Sequence, residues 1–262
     1  MSTSESAPTT WSSGRYDAIG DHIAGIAADV VAAAKRRGPF RDVADLACGT
    51  GSAALVAAAA GARVTAVDVT GELIAIGRQK AERLGHTVTW LTADASDTGL
   101  PAGAFDAVVS NMGIIFVEPV AQVAEIARLL KAGGVVGFSS WVPDPQTPFY
   151  KPIVTVLGSP PASGHSPDQW GTTETITDRL AADFDDVAIE TGACTWRLGT
   201  IEDAMHLLAN ESPIHVSLLD NLEAAKRDEL LAAFEDAMRA NIGADGLVAF
   251  DAPYLVVTAR RR

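Results

Sequence analysis

The chain has 262 residues and a formal net charge of −13 at pH 7; 48% of its residues are hydrophobic and only 6% are aromatic. This length fits one large domain, and the composition predicts an aliphatic, alanine-rich core. So acidic a surface repels phosphate backbones and anionic lipid, which disfavours nucleic acid and membranes as partners.

The N-terminal stretch MSTSESAPTTWSSG has neither a charged nor an apolar region, so residues 1–14 are predicted to be a flexible segment and not a signal peptide. No run of about 18 apolar residues occurs, so no membrane-spanning helix is expected. Cys48 and Cys194 are too few for a disulfide framework and lack neighbouring ligand residues. We therefore expect reduced thiols, a cytoplasmic location and no metal site.

The first half of the chain alternates helices with short apolar strands. A helix over 16–37 is predicted by Ile19, Ile23, Ile26 and Val30, which recur at spacings of three and four. The next segments read, in order, as strand DVADLA, helix 52–60, strand RVTAVDV, helix 71–84 (Leu73, Gly77, Ala81 and Leu84 on one side), strands TVTWLTA and FDAVVSN, helix 120–131 and strand GGVVGFSSW. Such alternation predicts parallel strand pairing.

The second half is less regular. It contains a Pro-, Ser- and Gly-rich excursion over 143–171, a short helix over 175–180, strand DVAIETGACTWRL, helices over 201–241 and strand APYLVVTARR. The predicted fold class is α/β, a Rossmann-like, mostly parallel seven-stranded sheet with helices on both faces and a small helical cap. Residues 15–262 are predicted to form a single domain, with cap elements at about 142–171 and 201–243.

The stretch VADLACGTGSAA places glycines at the first strand-to-helix turn. Gly49 and Gly51 can adopt backbone angles closed to other residues and let a ligand lie against the chain. Asp68 ends the second strand, where an acid can accept hydrogen bonds from ribose hydroxyls, and Asp94 follows the third. The pattern indicates a nucleoside-containing ligand at the carboxyl edge of the sheet.

A dinucleotide site would show three glycines in the pattern GxGxxG. The run here is Ala47-Cys48-Gly49-Thr50-Gly51-Ser52, although Ala54 could do the packing of the third glycine. A nicotinamide-dependent oxidoreductase is therefore kept as an alternative.

The motifs together resemble those of the class I S-adenosylmethionine-dependent methyltransferases, in particular the small-molecule group akin to the ubiquinone and menaquinone methyltransferases. The resemblance rests on VADLACGTG, VTAVDVT, LTADASDTGLP, FDAVVSNMGI and EIARLLKAGGVV, and it covers residues 16–141 closely. Ala47 stands where the first motif of the family usually has glycine.

The resemblance implies S-adenosylmethionine as the cofactor and S-adenosylhomocysteine as its product. It implies that Asp68 holds the ribose, that Asp94 and the amide of Ala95 hold the adenine, and that Tyr16 closes over the methionine part or packs in the core. The positions that it assigns to the cofactor are Tyr16, Asp45, Ala47, Gly49, Gly51, Asp68, Val69, Asp94, Ala95, Asn111 and Met112.

No motif supplies a fixed catalytic base. His215 and His22 are the candidates, and for both the competing interpretation is a packed core histidine. Aromatic residues outside the motifs favour a small aromatic or apolar acceptor, as in secondary metabolism, with O-methylation favoured and N- or C-methylation open. A homodimer is one possible assembly.

Two other functions stay open besides the oxidoreductase. One is a protein of this fold that binds the cofactor without methyl transfer, as a cyclase or regulatory subunit. The other, nucleic-acid methylation, is disfavoured by charge and by the sequence Ser110-Asn111-Met112-Gly113, which lacks an NPPY-type motif.

Overall fold

The computed structural model describes Trp11, residues 14–159 and residues 165–262. Its strands are β1 (Asp42–Leu46), β2 (Arg63–Asp68), β3 (Val88–Thr92), β4 (Phe105–Ser110), β5 (Leu130–Trp141), β6 (Phe184–Gly199) and β7 (Val248–Arg261). They form one seven-stranded sheet in the order β3-β2-β1-β4-β5-β7-β6. Strands β1 to β5 pair in parallel, and β7 is antiparallel to β5. The predicted α/β, Rossmann-like, mostly parallel sheet is confirmed.

The α-helices of the described residues are α1 (Tyr16–Arg37), α2 (Ser52–Ala59), α3 (Gly71–Leu84), α4 (Pro119–Leu129), α5 (Lys151–Leu157), α6 (Thr173–Leu180), α7 (Ile201–His206), α8 (Pro213–Asp220) and α9 (Ala224–Arg239). Short 3-10 helices cover Ile114–Phe116 and Pro167–Gly171, and a π-helical turn covers Leu207–Glu211. Helices α1 and α3 have the predicted bounds.

Three local predictions differ from the structure. Helix α5 lies inside the predicted excursion, and Pro152 fits its first turn because the first turn needs no backbone N–H from that position. Helix α4 ends before Lys131 because β5 begins at Leu130, which pairs with Phe105. The placement of Leu84 on the buried side of α3 is wrong: this side chain is 60% exposed. Leu84 is the last helical residue, and Gly85 follows it with a φ of 70°.

The chain divides into two compact units. The helical unit comprises residues up to His22, Asp144–Ala162 and Thr195–Asp251, and the sheet unit comprises Ile23–Pro143, Ser163–Cys194 and Ala252–Arg262. The helical unit contains α5, α7, α8 and α9, and the sheet unit contains β1 to β5 with α2, α3, α4 and α6. The single domain with two cap elements stays a prediction, and residues 1–10, 12–13 and 160–164 lie outside the described residues.

The core of the sheet unit is aliphatic, as the composition predicts. Its central strands β1 and β4 are almost entirely buried, with Val43, Leu46 and Val109 wholly inaccessible to solvent. Within the described ranges, no helix has the length and apolar character to cross a bilayer. Nor does any group of three or more His, Cys, Asp or Glu side chains there have an arrangement that could hold a metal ion.

Candidate active site

Four parallel strands bring most of the predicted cofactor residues to one edge of the sheet. Strands β3, β2, β1 and β4 are neighbours, so their carboxyl ends lie side by side. Asp45 lies in β1, Asp68 ends β2, Asp94 follows β3 and Asn111 follows β4. Ligands of open parallel sheets bind outside this edge. The sheet unit thus assembles the residues of four separate motifs.

The turn between β1 and α2 has a left-handed backbone at three positions. The φ angle is 49° at Ala47, 55° at Gly49 and 84° at Gly51. A left-handed conformation costs a residue with a Cβ about 1–2 kcal/mol, so Ala47 is strained. Ala47 thus adopts a backbone conformation that glycine adopts more easily, although it carries a side chain.

Trp90 explains why Gly51 and Gly77 are both glycines. A Cβ on Gly51 would lie 2.4 Å from the Trp90 ring, and one on Gly77 would lie 2.6 Å from it. The indole of β3 therefore packs directly against the turn and against α3. Sequence reasoning missed this role; a glycine in the middle of helix α3 was the available signal.

The Asp68 carboxylate fixes the same turn to β2. Its Oδ2 accepts a hydrogen bond from the Gly49 N–H at 2.7 Å, and its Oδ1 accepts one from the Thr70 N–H at 2.9 Å. The residue is only 7% exposed. A carboxylate oxygen accepts up to two hydrogen bonds, so each oxygen keeps an acceptor position that ribose hydroxyls would fit.

Asp45 is a buried carboxyl group beside the turn. Its Oδ2 accepts a hydrogen bond from the Ala54 N–H at 2.7 Å, whereas its Oδ1 has no partner among the described residues. Burial raises the pKa of Asp45 to about 8, the Ala54 hydrogen bond opposes this rise, and the charge of Asp68 adds to it. An unpaired buried oxygen is costly, so Oδ1 is suited to a donor group of a ligand.

Cys48 lies in the same turn but has no chemical role in this arrangement. Its side chain is buried, and burial raises the pKa of the thiol well above its ordinary value. The nearby carboxyl groups of Asp45 and Asp68 add to the rise. The thiol therefore stays protonated and packs as a small apolar group.

The loop after β3 offers an acceptor and an apolar surface. Asp94 uses its Oδ1 for the N–H and O–H of Ser96, at 2.8 and 2.7 Å, and its Oδ2 has no partner among the described residues. Ala95 is buried next to it, and Val69, which directly follows β2, is 64% exposed. An exposed apolar side chain near a free carboxylate oxygen suits a flat ligand that carries an amine.

Asn111 and Met112 belong to a buried polar network after β4. The Asn111 Nδ2 donates to the Ile23 carbonyl and to Ser52 Oγ, each at 3.1 Å, and its Oδ1 accepts from Ser139 Oγ at 2.8 Å. Ser139 Oγ also accepts from the Met112 N–H at 3.0 Å. Met112 has a φ of 57°. The Asn111 side chain therefore fixes the backbone of this loop.

The remaining predicted residues, Tyr16, His22 and His215, belong to the helical unit. Tyr16 begins α1, and its ring lies 6.0 Å from that of Trp11 in an edge-to-face arrangement. The His22 ring lies 5.2 Å from that of Trp196. Burial lowers the pKa of His22, although Asp21 and Glu211 oppose this shift.

His215 is buried in an aromatic cluster of the helical unit, against Phe149 and Phe234. Its Nε2 lies 3.4 Å from the Phe149 carbonyl, so this nitrogen carries the proton, and its Nδ1 accepts from Ser212 Oγ at 2.7 Å. Burial lowers the pKa of His215 to about 4, and the Phe149 hydrogen bond opposes this shift. Both ring nitrogens are thus occupied inside the protein.

Two aromatic residues outside the sequence motifs, Phe149 and Trp170, have different environments. Phe149 is half-buried, and its ring contacts those of Trp196, His215 and Phe250 at 4.9, 5.5 and 5.0 Å. Trp170, in the sheet unit, is 0% exposed and packs on Phe138. Trp170 is therefore a core residue, whereas Phe149 presents part of its surface.

An open concavity of about 680 Å³ lies at the opposite edge of the sheet, lined by residues that include Lys35, Arg41 and Asp106. Asp106 accepts hydrogen bonds from the amides of Arg41 and Asp42 and from Lys131. Burial alone would raise the pKa of Asp106, but these hydrogen bonds hold it below its ordinary value. Asp106 therefore has a structural role at this edge of the sheet, where it joins β4 to the start of β1.

Comparison with known proteins identifies the sheet unit. A family described as "Methyltransferase domain" matches residues 44–138, which include the glycine turn and all four strand-end motifs. Residues 44–138 therefore correspond to a methyltransferase domain. The predicted resemblance and enzyme class are confirmed.

Two named relatives each match about two fifths of the chain. The demethylmenaquinone methyltransferase of Thermus thermophilus is 39% identical over 108 residues, which are 40% of this chain and 49% of that protein. The nocamycin O-methyltransferase of Saccharothrix syringae is 34% identical over 112 residues, 41% of this chain and 40% of that protein. The chain thus spans less than half the length of each of these two relatives.

Two solved structures share the fold over nearly the whole chain. Geranyl diphosphate C-methyltransferase of Streptomyces coelicolor has a TM-score of 0.51 and 18% identity, covering 91% of this chain and 79% of its own. The [4+2]-cyclase SpnF has a TM-score of 0.55 and 21% identity, covering 97% and 89%. At such identities the likeness concerns the fold alone.

Proposed function

We propose that the chain binds S-adenosylmethionine at the carboxyl edge of β1 to β4 and methylates a small aromatic or apolar acceptor there. The observation that carries this proposal is a set of three carboxyl groups, Asp45, Asp68 and Asp94, with unused acceptor positions along one edge of the sheet. When bound, the cofactor supplies a methyl group already activated by its sulfonium centre.

Each part of the edge has a distinct binding task in this proposal. Asp68 accepts from the ribose hydroxyls with its remaining lone pairs, and Asp94 Oδ2 accepts from the adenine amine. The exposed Val69 packs on an adenine face, opposite Ala95. Asp45 Oδ1 gains the partner that it lacks from the ammonium group of the methionine part. Ala47, Gly49 and Gly51 provide the close backbone approach.

The loop after β4 positions the backbone near the reacting group in this proposal. Asn111 acts through the loop because its polar atoms are all used inside the protein. Met112 is proposed to lie against the methionine part, and the role of Tyr16 stays a prediction from the resemblance. Holding the reactants in line is the main contribution required, and it supplies about 7–11 kcal/mol in well-oriented reactions.

The acceptor is proposed to be a planar, largely apolar small molecule. The half-buried Phe149 and its ring partners in the helical unit offer aromatic surface of the kind that binds such compounds. The nocamycin O-methyltransferase among the relatives supports oxygen as the methylated atom, with nitrogen and carbon as the alternatives. The net charge of −13 argues against nucleic acid. A cytoplasmic location and a homodimer stay predictions from the sequence.

Of the two histidines, His22 is the better candidate for a base. His215 has both ring nitrogens engaged and a pKa of about 4, so we propose a packing role for it. His22 is half-buried beside Trp196. A base at this position would be needed only for an acceptor that carries an acidic proton, such as a phenol.

Calorimetry with S-adenosylhomocysteine tests the cofactor site. Asp68→Ala is expected to weaken binding by about 2–4 kcal/mol, because hydrogen bonds to a charged group contribute about 1.5–3 kcal/mol each and add less than fully. Asp185→Ala removes an exposed acid of β6 in the same unit and serves as the control. An unchanged affinity in folded Asp68→Ala would remove this residue from the site.

A panel of phenols, amines and enols with methyl-labelled donor tests the reaction. Label transfer to one class identifies the methylated atom. Binding of S-adenosylhomocysteine without transfer to any acceptor would instead support the non-methylating alternative, a cyclase or regulatory protein. Titration with NAD separates the oxidoreductase alternative, since a nicotinamide enzyme would bind NAD and not S-adenosylhomocysteine.

A further inference from the structure

We infer that the polar side chains Gln122, Glu125 and Arg128 of α4, which we term the α4 clamp, position the adenine-reading loop and thereby set the preference for an adenine base. The adenine-reading loop is residues 94–100, between β3 and β4. This inference rests on the proposed function, in which Asp94 and Ala95 hold the adenine.

The adenine-reading loop has little backbone structure of its own. It lies outside the sheet, and its internal backbone support consists of the isolated bridge between Asp94 and Asp97. A loop that reads a base through one carboxylate oxygen and one amide must hold both within a few tenths of an ångström. Its position must therefore come from a neighbouring rigid element.

The α4 clamp contacts the loop at three successive points. Gln122 Nε2 donates to the Ala95 carbonyl at 3.1 Å. Glu125 Oε1 accepts from the Thr98 N–H and O–H at 3.0 and 2.5 Å. Arg128 donates to the Leu100 carbonyl at 2.8 Å. The three side chains are spaced by three residues, so they share one face of the helix.

The contacts of Gln122 and Glu125 with the loop are buried, whereas the contact between Arg128 and Leu100 is exposed. Gln122 is 0% exposed, Thr98 4% and Glu125 6%. Burial alone would raise the pKa of Glu125, but the hydrogen bonds from Arg128 and Thr98 hold it below its ordinary value. The clamp therefore contains a buried carboxylate that is fully engaged.

Gln122 shows that packing alone does not account for the clamp. Its Oε1 is buried without a partner among the described residues, and such an atom costs free energy that a leucine would avoid. The amide is useful at this position because its Nε2 orients the peptide of Ala95. Ala95 is the residue whose amide is proposed to face the adenine ring.

The test compares two ligands in calorimetry: S-adenosyl-L-homocysteine and S-inosyl-L-homocysteine, in which an oxo group replaces the adenine amine. The variants are Gln122→Leu and, on the loop side, Thr98→Val. Glu118→Gln is the control, because Glu118 caps α4 through Val120 and Ala121 without contacting the loop. It lowers helix stability by a purely structural route.

We expect both clamp variants to lose about tenfold of the preference for the adenosyl ligand, as the loss of one or two positioning hydrogen bonds implies. Hydrogen exchange of residues 94–100 in the ligand-free protein should rise in both variants and not in Glu118→Gln. A lowered unfolding midpoint with an unchanged ligand preference would show a merely structural role and overturn the inference. A wild-type protein that binds neither ligand would overturn the proposed function itself, and the inference with it.

Discussion

Replacing Asp45 by asparagine should remove the part of the pH dependence of folding stability that this carboxyl group causes. In the folded protein the Asp45 carboxyl is buried with an unpaired Oδ1, and its pKa is raised to about 8 from an ordinary value of 3.8. The carboxyl is therefore neutral at neutral pH, and asparagine is close to it in shape. Asparagine also keeps an oxygen that can accept the Ala54 N–H.

The sign follows from proton linkage. Because the folded-state pKa lies above that of the unfolded chain, the contribution of Asp45 to stability is fully present below the unfolded-state pKa and is lost as the pH rises through the folded-state pKa. The shift spans about four units at about 1.4 kcal/mol each, so the whole loss is about 5–6 kcal/mol. Between about pH 5.5 and pH 8 the loss amounts to about 3 kcal/mol.

Urea unfolding of wild type and Asp45→Asn across this pH range measures the effect as a difference curve, in which all other titrations cancel. The stability of the variant relative to wild type should rise by about 3 kcal/mol from about pH 5.5 to pH 8. Asp185→Asn, at an exposed acid of β6, is the control for the removal of one carboxyl group. A flat curve for Asp45→Asn would refute the reasoning, because it would mean that Asp45 ionises in the folded protein as it does in the unfolded chain.

Three further outcomes are expected from the local geometry. Gly51→Ala should lower the unfolding free energy by about 2–3 kcal/mol, and Gly61→Ala by about 1 kcal/mol. Both glycines have a positive φ, but only a Cβ at position 51 would clash with Trp90. Equal losses in the two variants would contradict this clash. Wild type should lose about 2–3 kcal/mol of unfolding free energy between about pH 6.5 and pH 4, because the buried His215 has a lowered pKa and must be protonated as the pH falls. His215→Phe should not show this loss. If urea unfolding gives the variant the same loss as wild type, the neutral ring is not buried as described. Ala47→Gly should be neutral or stabilising by up to about 1 kcal/mol, with unchanged cofactor affinity, since it relieves the left-handed alanine; a loss of more than about 1 kcal/mol would show that the Cβ packs usefully.

Most of the fold was predictable from the spacing of apolar residues and from the glycines and prolines that end the helices and strands. The α1 and α3 bounds follow from apolar spacing and from terminating glycines, and the parallel order of β1 to β4 follows from helices between successive strands. The edge containing Asp45, Asp68 and Asp94 was predictable for the same reason: strand ends converge in a parallel sheet whatever the side chains do.

What escaped prediction depends on contacts between distant segments. Trp90 packs against Gly51, and Asn111 bonds to both Ile23 and Ser139, yet no local pattern relates these residues. A packed histidine was one of the two interpretations of His215, but its contact with Phe149 joins distant segments. Asp68 is the clearest case. Its spacing from the glycine turn suggested ribose binding, yet its hydrogen bond to the Gly49 amide can be seen only once β1 and β2 are paired.

The buried carboxyl of Asp45 also bears on cofactor affinity. Without a partner, an ionised Asp45 is unfavourable, so a cationic ligand group next to Oδ1 would favour ionisation and release a proton on binding. Affinity for S-adenosylhomocysteine would then rise with pH up to the folded-state pKa, over the same range in which the free protein loses stability. In the same pH range, the Asp45 carboxyl group would thus lower the stability of the free protein and raise its affinity for the ligand. Its contribution to binding is a physical reason for a buried carboxyl group at this edge of the sheet. In Asp45→Asn both dependences should disappear together, and the loss of only one would separate the stability effect from the binding effect.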